Sequence, residues 1–80
     1  MIAEWEEYEG GLNGYDDDGE HVIEIEPLQD RAYCLKWGES YSPGRAWSVR
    51  HDGAGVRGRS RDLRTARRDA LAALASLGGS

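Results

Sequence analysis

The sequence predicts an α+β domain, a three- to four-stranded antiparallel meander with one C-terminal helix packed on one face. Three observations lead there. Between His21 and Arg59 apolar residues recur with a period of two in short runs broken by Gly, Pro and Asp. After Ser60 the period changes to 3.6. Strands in succession followed by a single helix bury their apolar faces most simply as a sheet with the helix laid across it.

The first twenty residues hold no sustained period. Ile2, Trp5, Tyr8 and Leu12 fall near helical spacing, but Gly10, Gly11 and Gly14 interrupt a helix, so a short turn or strand followed by a loop is expected. "HVIEIEP" then alternates Ile23 and Ile25 against Glu24 and Glu26 until Pro27 stops it. After the turn "PLQD", "RAYCLKW" sets Tyr33, Leu35 and Trp37 against Ala32, Cys34 and Lys36 and is read as the second strand. "GESYSPG" has turn composition, and "RAWSVRH" alternates Trp47 and Val49 against Ala46, Ser48 and Arg50. "HDGAG" signals a hairpin, with Asp52 and Gly53 in the tight turn, and "GVRGR" supplies a short fourth strand.

From Ser60 onward Leu63, Ala66, Ala70, Ala73, Leu74 and Leu77 share one side of a helical wheel. Ser60 or Asp62 can cap the start and Gly78 the end. The expected core joins this stripe to Ile23, Ile25, Tyr33, Leu35, Trp37, Trp47 and Val49. The chain thus divides into an acidic, aromatic N-terminal segment (1–19) and a sheet-plus-helix domain (20–80).

Eighty residues make one domain, and at this length folding hides only about 60% of the surface an unfolded chain exposes. Hydrophobic content of 39% beside 31% charged residues suits a small core and is too apolar for disorder. Cys34 stands alone, so no internal disulfide forms and a cytoplasmic location is expected. No apolar run approaches a membrane span, and an acidic N-terminus is unlike a signal peptide.

The net charge of −5 hides a strong asymmetry. Residues 1–30 contain eleven acids and no base, and residues 31–80 contain ten bases and four acids, so the halves carry −11 and +6. Eight of the carboxylates fall between Glu4 and Glu20. Their expected counter-charge is the arginine ridge at the start of the last helix, where Arg61, Arg64 and Arg68 lie within about 60 degrees of one another, extended backwards by Arg57 and Arg59.

Motifs for chemistry are few. If Gly19 takes the glycine position of an EF-hand loop, Asp16 and Asp18 fit ligand positions but the first and last positions fall on Gly14 and Ile25, so "YDDDGE" is read as a solvated acidic loop. His21, His51, Cys34 and Asp52 match no metal-ligand or nucleophile spacing. "GAGVRG" lacks the lysine of a phosphate-binding loop. No enzyme activity, metal or cofactor is expected.

"AWSVRHDG", "GVRGRS" and "LRTARRDALAAL" together resemble the strand, hairpin, strand and alanine-rich helix of small uncharacterised proteins of actinobacteria and their phages, over roughly residues 30–77. The pattern is more loosely similar to the β-β-β-α arrangement of double-stranded-RNA-binding domains and of the arm-binding domains of phage integrases. The first resemblance implies a phage or mobile-element accessory protein. The second implies nucleic-acid contact through arginines at the start of the last helix, or through an open sheet face, which here carries Glu24, Glu26, Lys36 and Arg50 in mixed sign.

Two functions follow as expectations. The first is a non-enzymatic protein-interaction module whose contact residues are Trp5, Tyr8, Tyr15, Asp16, Asp17 and Asp18, since aromatic rings anchor interfaces and carboxylates steer approach. The alternative is a nucleic-acid-binding domain using Arg57, Arg59, Arg61, Arg64 and Arg68. A homodimer is a further expectation, with "HVIEIEP" as an edge strand pairing across a two-fold axis.

Overall fold

The computed structural model describes residues 2–78. The chain forms β1 (Glu4–Tyr8), β2 (Gly11–Tyr15), β3 (His21–Pro27), α1 (Arg31–Trp37), β4 (Arg45–His51), β5 (Ala54–Ser60) and α2 (Leu63–Ser76). The strands make one five-stranded antiparallel sheet in the order β1-β2-β3-β4-β5. The α+β meander with a C-terminal helix on one face is therefore present, with more strands than the sequence predicts.

The additional strands come from the first twenty residues. Tyr8 pairs with Gly11 across a tight turn, so β1 and β2 form a hairpin continuous with the rest of the sheet. No break in the sheet falls at residue 19. β3, expected at an edge, is the central strand, and a dimer through its edge has no free backbone to use.

Register sorts the side chains into two faces. On the covered face one row runs Trp5, Gly14, Ile23, Val49, Val56 and the next runs Leu12, Ile25, Trp47, Gly58. Against these rows α2 buries Ala66, Ala70 and Leu74, spaced four apart, and its alanines let the helix lie close to the sheet. The register shifts at Gly14/Tyr15, and opposite that irregularity the consecutive residues Val22 and Ile23 are both buried.

Trp47 ties the layers together. Its ring lies over Gly58, where an added Cβ would stand 2.6 Å from Trp47 Cε2. Its Nε1 donates to Ser60 Oγ at 3.0 Å, and that hydroxyl donates to Asp69 Oδ2 on α2 at 2.7 Å. Asp62, not Ser60, caps α2, accepting from the Thr65 amide at 2.7 Å. This hydrogen bond, aided by Arg61 and Arg64, holds the Asp62 carboxyl below the usual aspartate value. Asp52 and Gly53 adopt left-handed φ angles of 48 and 80 degrees in the β4–β5 turn, as the hairpin signal requires.

The main departure from expectation is Arg31–Trp37, which is a helix and not a strand. The Asp30 carboxylate accepts from the Ala32 and Tyr33 amides and Gly38 closes the helix in the left-handed region, so both ends of this segment are capped. Only Cys34 of α1 is buried. Tyr33, Leu35 and Trp37, expected in the core, are exposed, and Lys36 belongs to α1 and not to a sheet face.

Candidate partner-binding surface

α1 lies inside a closed excursion between two neighbouring strands. Pro27 pairs with Arg45, so residues 28–44 leave the sheet and return to the same place. The Leu28 amide donates to the Gly44 carbonyl at 3.1 Å and the Ser42 amide to Gln29 Oε1 at 2.6 Å, which fastens the base. Within that excursion Leu35 is 75% exposed and Trp37 61%, and Leu28, Tyr33 and Tyr41 are exposed as well. Tyr33 and Trp37, four apart, bring their ring centroids to 6.2 Å, and Lys36 Nζ sits 5.4 Å from the Trp37 ring. Apolar side chains are thus concentrated on one small fastened element with no extended contact to any other.

The base of the excursion holds a buried arginine. Arg45 is 8% exposed, and its Nε donates to the Gly10 carbonyl at 2.6 Å. Its Nη1 donates to the carbonyls of Pro43 and Gly44, the latter at 3.1 Å. One guanidinium therefore joins the β1–β2 turn to the strand that receives the chain from α1.

The residues expected to meet a partner are dispersed. Trp5 faces the covered side, packed beside Gly14, Ile23 and Ile2, with the Arg67 guanidinium 4.5 Å from its ring centroid. It is half-buried core and not a free anchor. Tyr8 and Tyr15 face the open side: Tyr8 donates to the Ile25 carbonyl at 3.0 Å and Tyr15 to Glu6 at 3.3 Å. Desolvation first, then the charges of Glu24 and Glu26, push the Tyr8 phenol up; desolvation and Glu6 do the same for Tyr15.

Asp16, Asp17 and Asp18 sit in the β2–β3 turn, where the Asp16 carboxylate is occupied by the amides of Asp18 and Glu20, both at 2.9 Å. The turn is ordered by its own hydrogen bonds. His21, facing the open side beside it, places Nε2 3.1 Å from Asn13 Oδ1.

The arginines divide as well. Arg57 and Arg59 pair with Ser48 and Ala46 on the open face, whereas Arg61, Arg64 and Arg68 lie at or on α2, over the opposite face. They do not form one ridge. The expected compensation by the N-terminal carboxylates is also absent as ion pairing: among the described residues the arginine–carboxylate pairs are Arg61–Asp62 and Arg68–Asp69, and His51 Nε2 lies 3.3 Å from Asp52 Oδ2, each contact between sequence neighbours. The reason is the topology. In a meander the lateral position of a strand follows chain order, so β1 with Glu4 and Glu6 and β5 with Arg57 and Arg59 stand at opposite edges, about 19 Å apart for four strand spacings, while the α2 arginines lie over the other face.

The open face consequently grades from Glu4 and Glu6, through Glu24 and Glu26, to Arg50, Arg57 and Arg59, with Ala46 and Ser48 as a low floor between the acidic and basic banks. Among the described residues no group of three or more His, Cys, Asp or Glu side chains is arranged to hold a metal ion. No described helix is long and apolar enough to cross a membrane.

No protein-family model matches the chain, and comparison with curated proteins and with solved structures gives no match.

The α1 surface and Arg45 escaped the sequence reading because Tyr33, Leu35 and Trp37 fit a strand period as well as their neighbours do. The signal that distinguishes them is the bracket formed by Asp30 and Gly38, an N-cap and a left-handed stop enclosing seven residues.

Proposed function

We propose that this protein is a non-enzymatic protein-interaction module that presents α1 to a protein partner. The observation that carries the reading is the exposure of Leu35 and Trp37 on a short capped helix that buries only Cys34. Exposed apolar side chains gathered on one element mark contact sites, and tryptophan and tyrosine dominate the energetics of such contacts. Both residues are largely exposed and lie outside the hydrophobic core cluster.

Nucleic-acid binding is the weaker reading. Its five arginines face two directions, and the face that carries Arg57 and Arg59 also carries Glu24 and Glu26, which repel a polyanion.

The test is capture from lysate of the source cell by immobilised protein, comparing the natural chain with the double substitution L35S/W37S. The reading expects a protein held by the first and lost by the second, with circular dichroism and Tm unchanged. Equal capture by both, or tight salt-sensitive binding to duplex DNA or RNA with no protein captured, overturns it.

A further inference from the structure

We propose that the cavity floored by Arg45 receives a carboxylate of the partner polypeptide. The inference deepens the reading above, since it takes the partner to be a protein and names the group that anchors it.

The argument begins with the charge. Arg45 is more than nine-tenths buried, yet no carboxylate lies within ion-pairing distance of it among the described residues. Three carbonyls satisfy Nε and Nη1, but carbonyl dipoles do not cancel a whole charge, and a buried cation without a counter-ion is costly. The two protons of Nη2 meet no acceptor among the described residues, and no fully buried side-chain polar atom there lacks a partner, so Nη2 keeps contact with solvent. Half of the guanidinium fork is thus fixed by the backbone, while Nη2, beside Gly10, is not fully buried.

Arg45 lines a cavity of about 550 Å³ together with Glu9, Pro27, Leu28, Asp30, Arg31 and Tyr41. That volume suits a side chain or a chain end. Arg31 offers a second guanidinium at the rim. Of the two acids, Asp30 is engaged in capping α1, while Glu9 stands on the rim. One carboxylate can enter beside Arg31 and Arg45. Leu28 and Tyr41 give the wall an apolar part, and the cavity opens at the first residue of α1, so a segment seated there continues onto the exposed side chains of that helix. A carboxylate next to an apolar side chain, from a chain terminus or from Asp or Glu, matches these walls.

The experiment records ¹H–¹⁵N spectra of the whole protein, including the arginine Nε–Hε signals, during titration with N-acetylleucine, its amide, the α-amide of N-acetylglutamate, and inorganic phosphate. The expected result is a saturable shift of the Arg45 Nε–Hε and Gly10 signals with a carboxylate probe and none with N-acetylleucinamide. Response to N-acetylleucine alone assigns the source to a chain terminus, and response to the glutamate derivative alone assigns it to a side chain. R31A should weaken the probe about threefold and leave the fold intact. R45M should abolish the shift at Gly10, with signal dispersion reporting whether that variant folds.

No carboxylate-dependent shift, or equal shifts at Arg45 and at the exposed Arg61 and Arg64 with every anion, overturns the proposal. L35S/W37S should bind N-acetylleucine like the natural chain, so failure of the cavity and failure of the α1 reading are separately visible.

Discussion

The Arg67 guanidinium, on the last helix, lies 4.5 Å from the centroid of the Trp5 ring, on the first strand. This is a contact between the acidic N-terminal segment and the basic helix, and it runs through an aromatic face and not through a carboxylate. Replacing Arg67 with Ala should cost about 0.5–1 kcal/mol, read as a lower Tm, with little dependence on the ionisation of Glu4 or Glu6. Deleting residues 1–19 should do far more. It removes two strands and the buried Leu12, and loss of a cooperative melting transition is the expected outcome.

The Trp47–Ser60–Asp69 chain of hydrogen bonds leaves little room for adjustment. Ser60→Ala strands the indole N–H and the Asp69 carboxylate in a half-buried place and should cost about 1–3 kcal/mol in chemical denaturation. Gly58→Ala places a methyl group into the Trp47 ring, which is held by that same chain and cannot move aside freely. A similar loss of about 1–3 kcal/mol is expected, with a change in tryptophan fluorescence.

Alkaline stability should depend on Tyr8. Its folded pKa is raised by desolvation and by Glu24 and Glu26, so the neutral phenol is favoured in the folded state. The resulting stability is complete below the unfolded value near 10 and is lost as pH rises through the folded value. Y8F should flatten the fall in Tm above about pH 10, and an unchanged profile would contradict the assignment.

Asp62 governs the acid side at α2. Its folded pKa is depressed, chiefly by the hydrogen bond from the Thr65 amide, so its charge-dependent contribution is present above the unfolded value near 3.9 and disappears as pH falls through the lower folded value. D62A should lower Tm by about 4–8 °C near neutral pH. The gap to the natural chain should narrow below about pH 4.

Surface substitutions at α1 should behave differently from all of these. Leu35 and Trp37 contribute little to the core, so L35S/W37S should change stability by less than about 0.5 kcal/mol in a urea titration. A large loss would mean that Leu35 or Trp37, and not Cys34 alone, packs on the domain.

The sequence by itself determined the elements whose periodicity serves one local purpose. Ile23 and Ile25, Trp47 and Val49, and the Ala66/Ala70/Leu74 stripe each bury one face, and Asp52–Gly53 can form little except the tight turn between strands. Tertiary structure decided the rest, because the deciding contacts lie far along the chain. Gly11 and Gly14 look like interruptions until β1 pairs with β2 and the rings of Tyr8 and Trp5 come to rest above them. Tyr33, Leu35 and Trp37 fit a strand until β4 takes the place beside β3, which leaves their capped segment outside the sheet. Arg45 reads as one more surface charge until Gly10, thirty-five residues away, accepts its Nε proton. The meander also fixed what the charges can do: by laying the strands out edge to edge in order, it kept the carboxylates of β1 apart from Arg57 and Arg59 of β5.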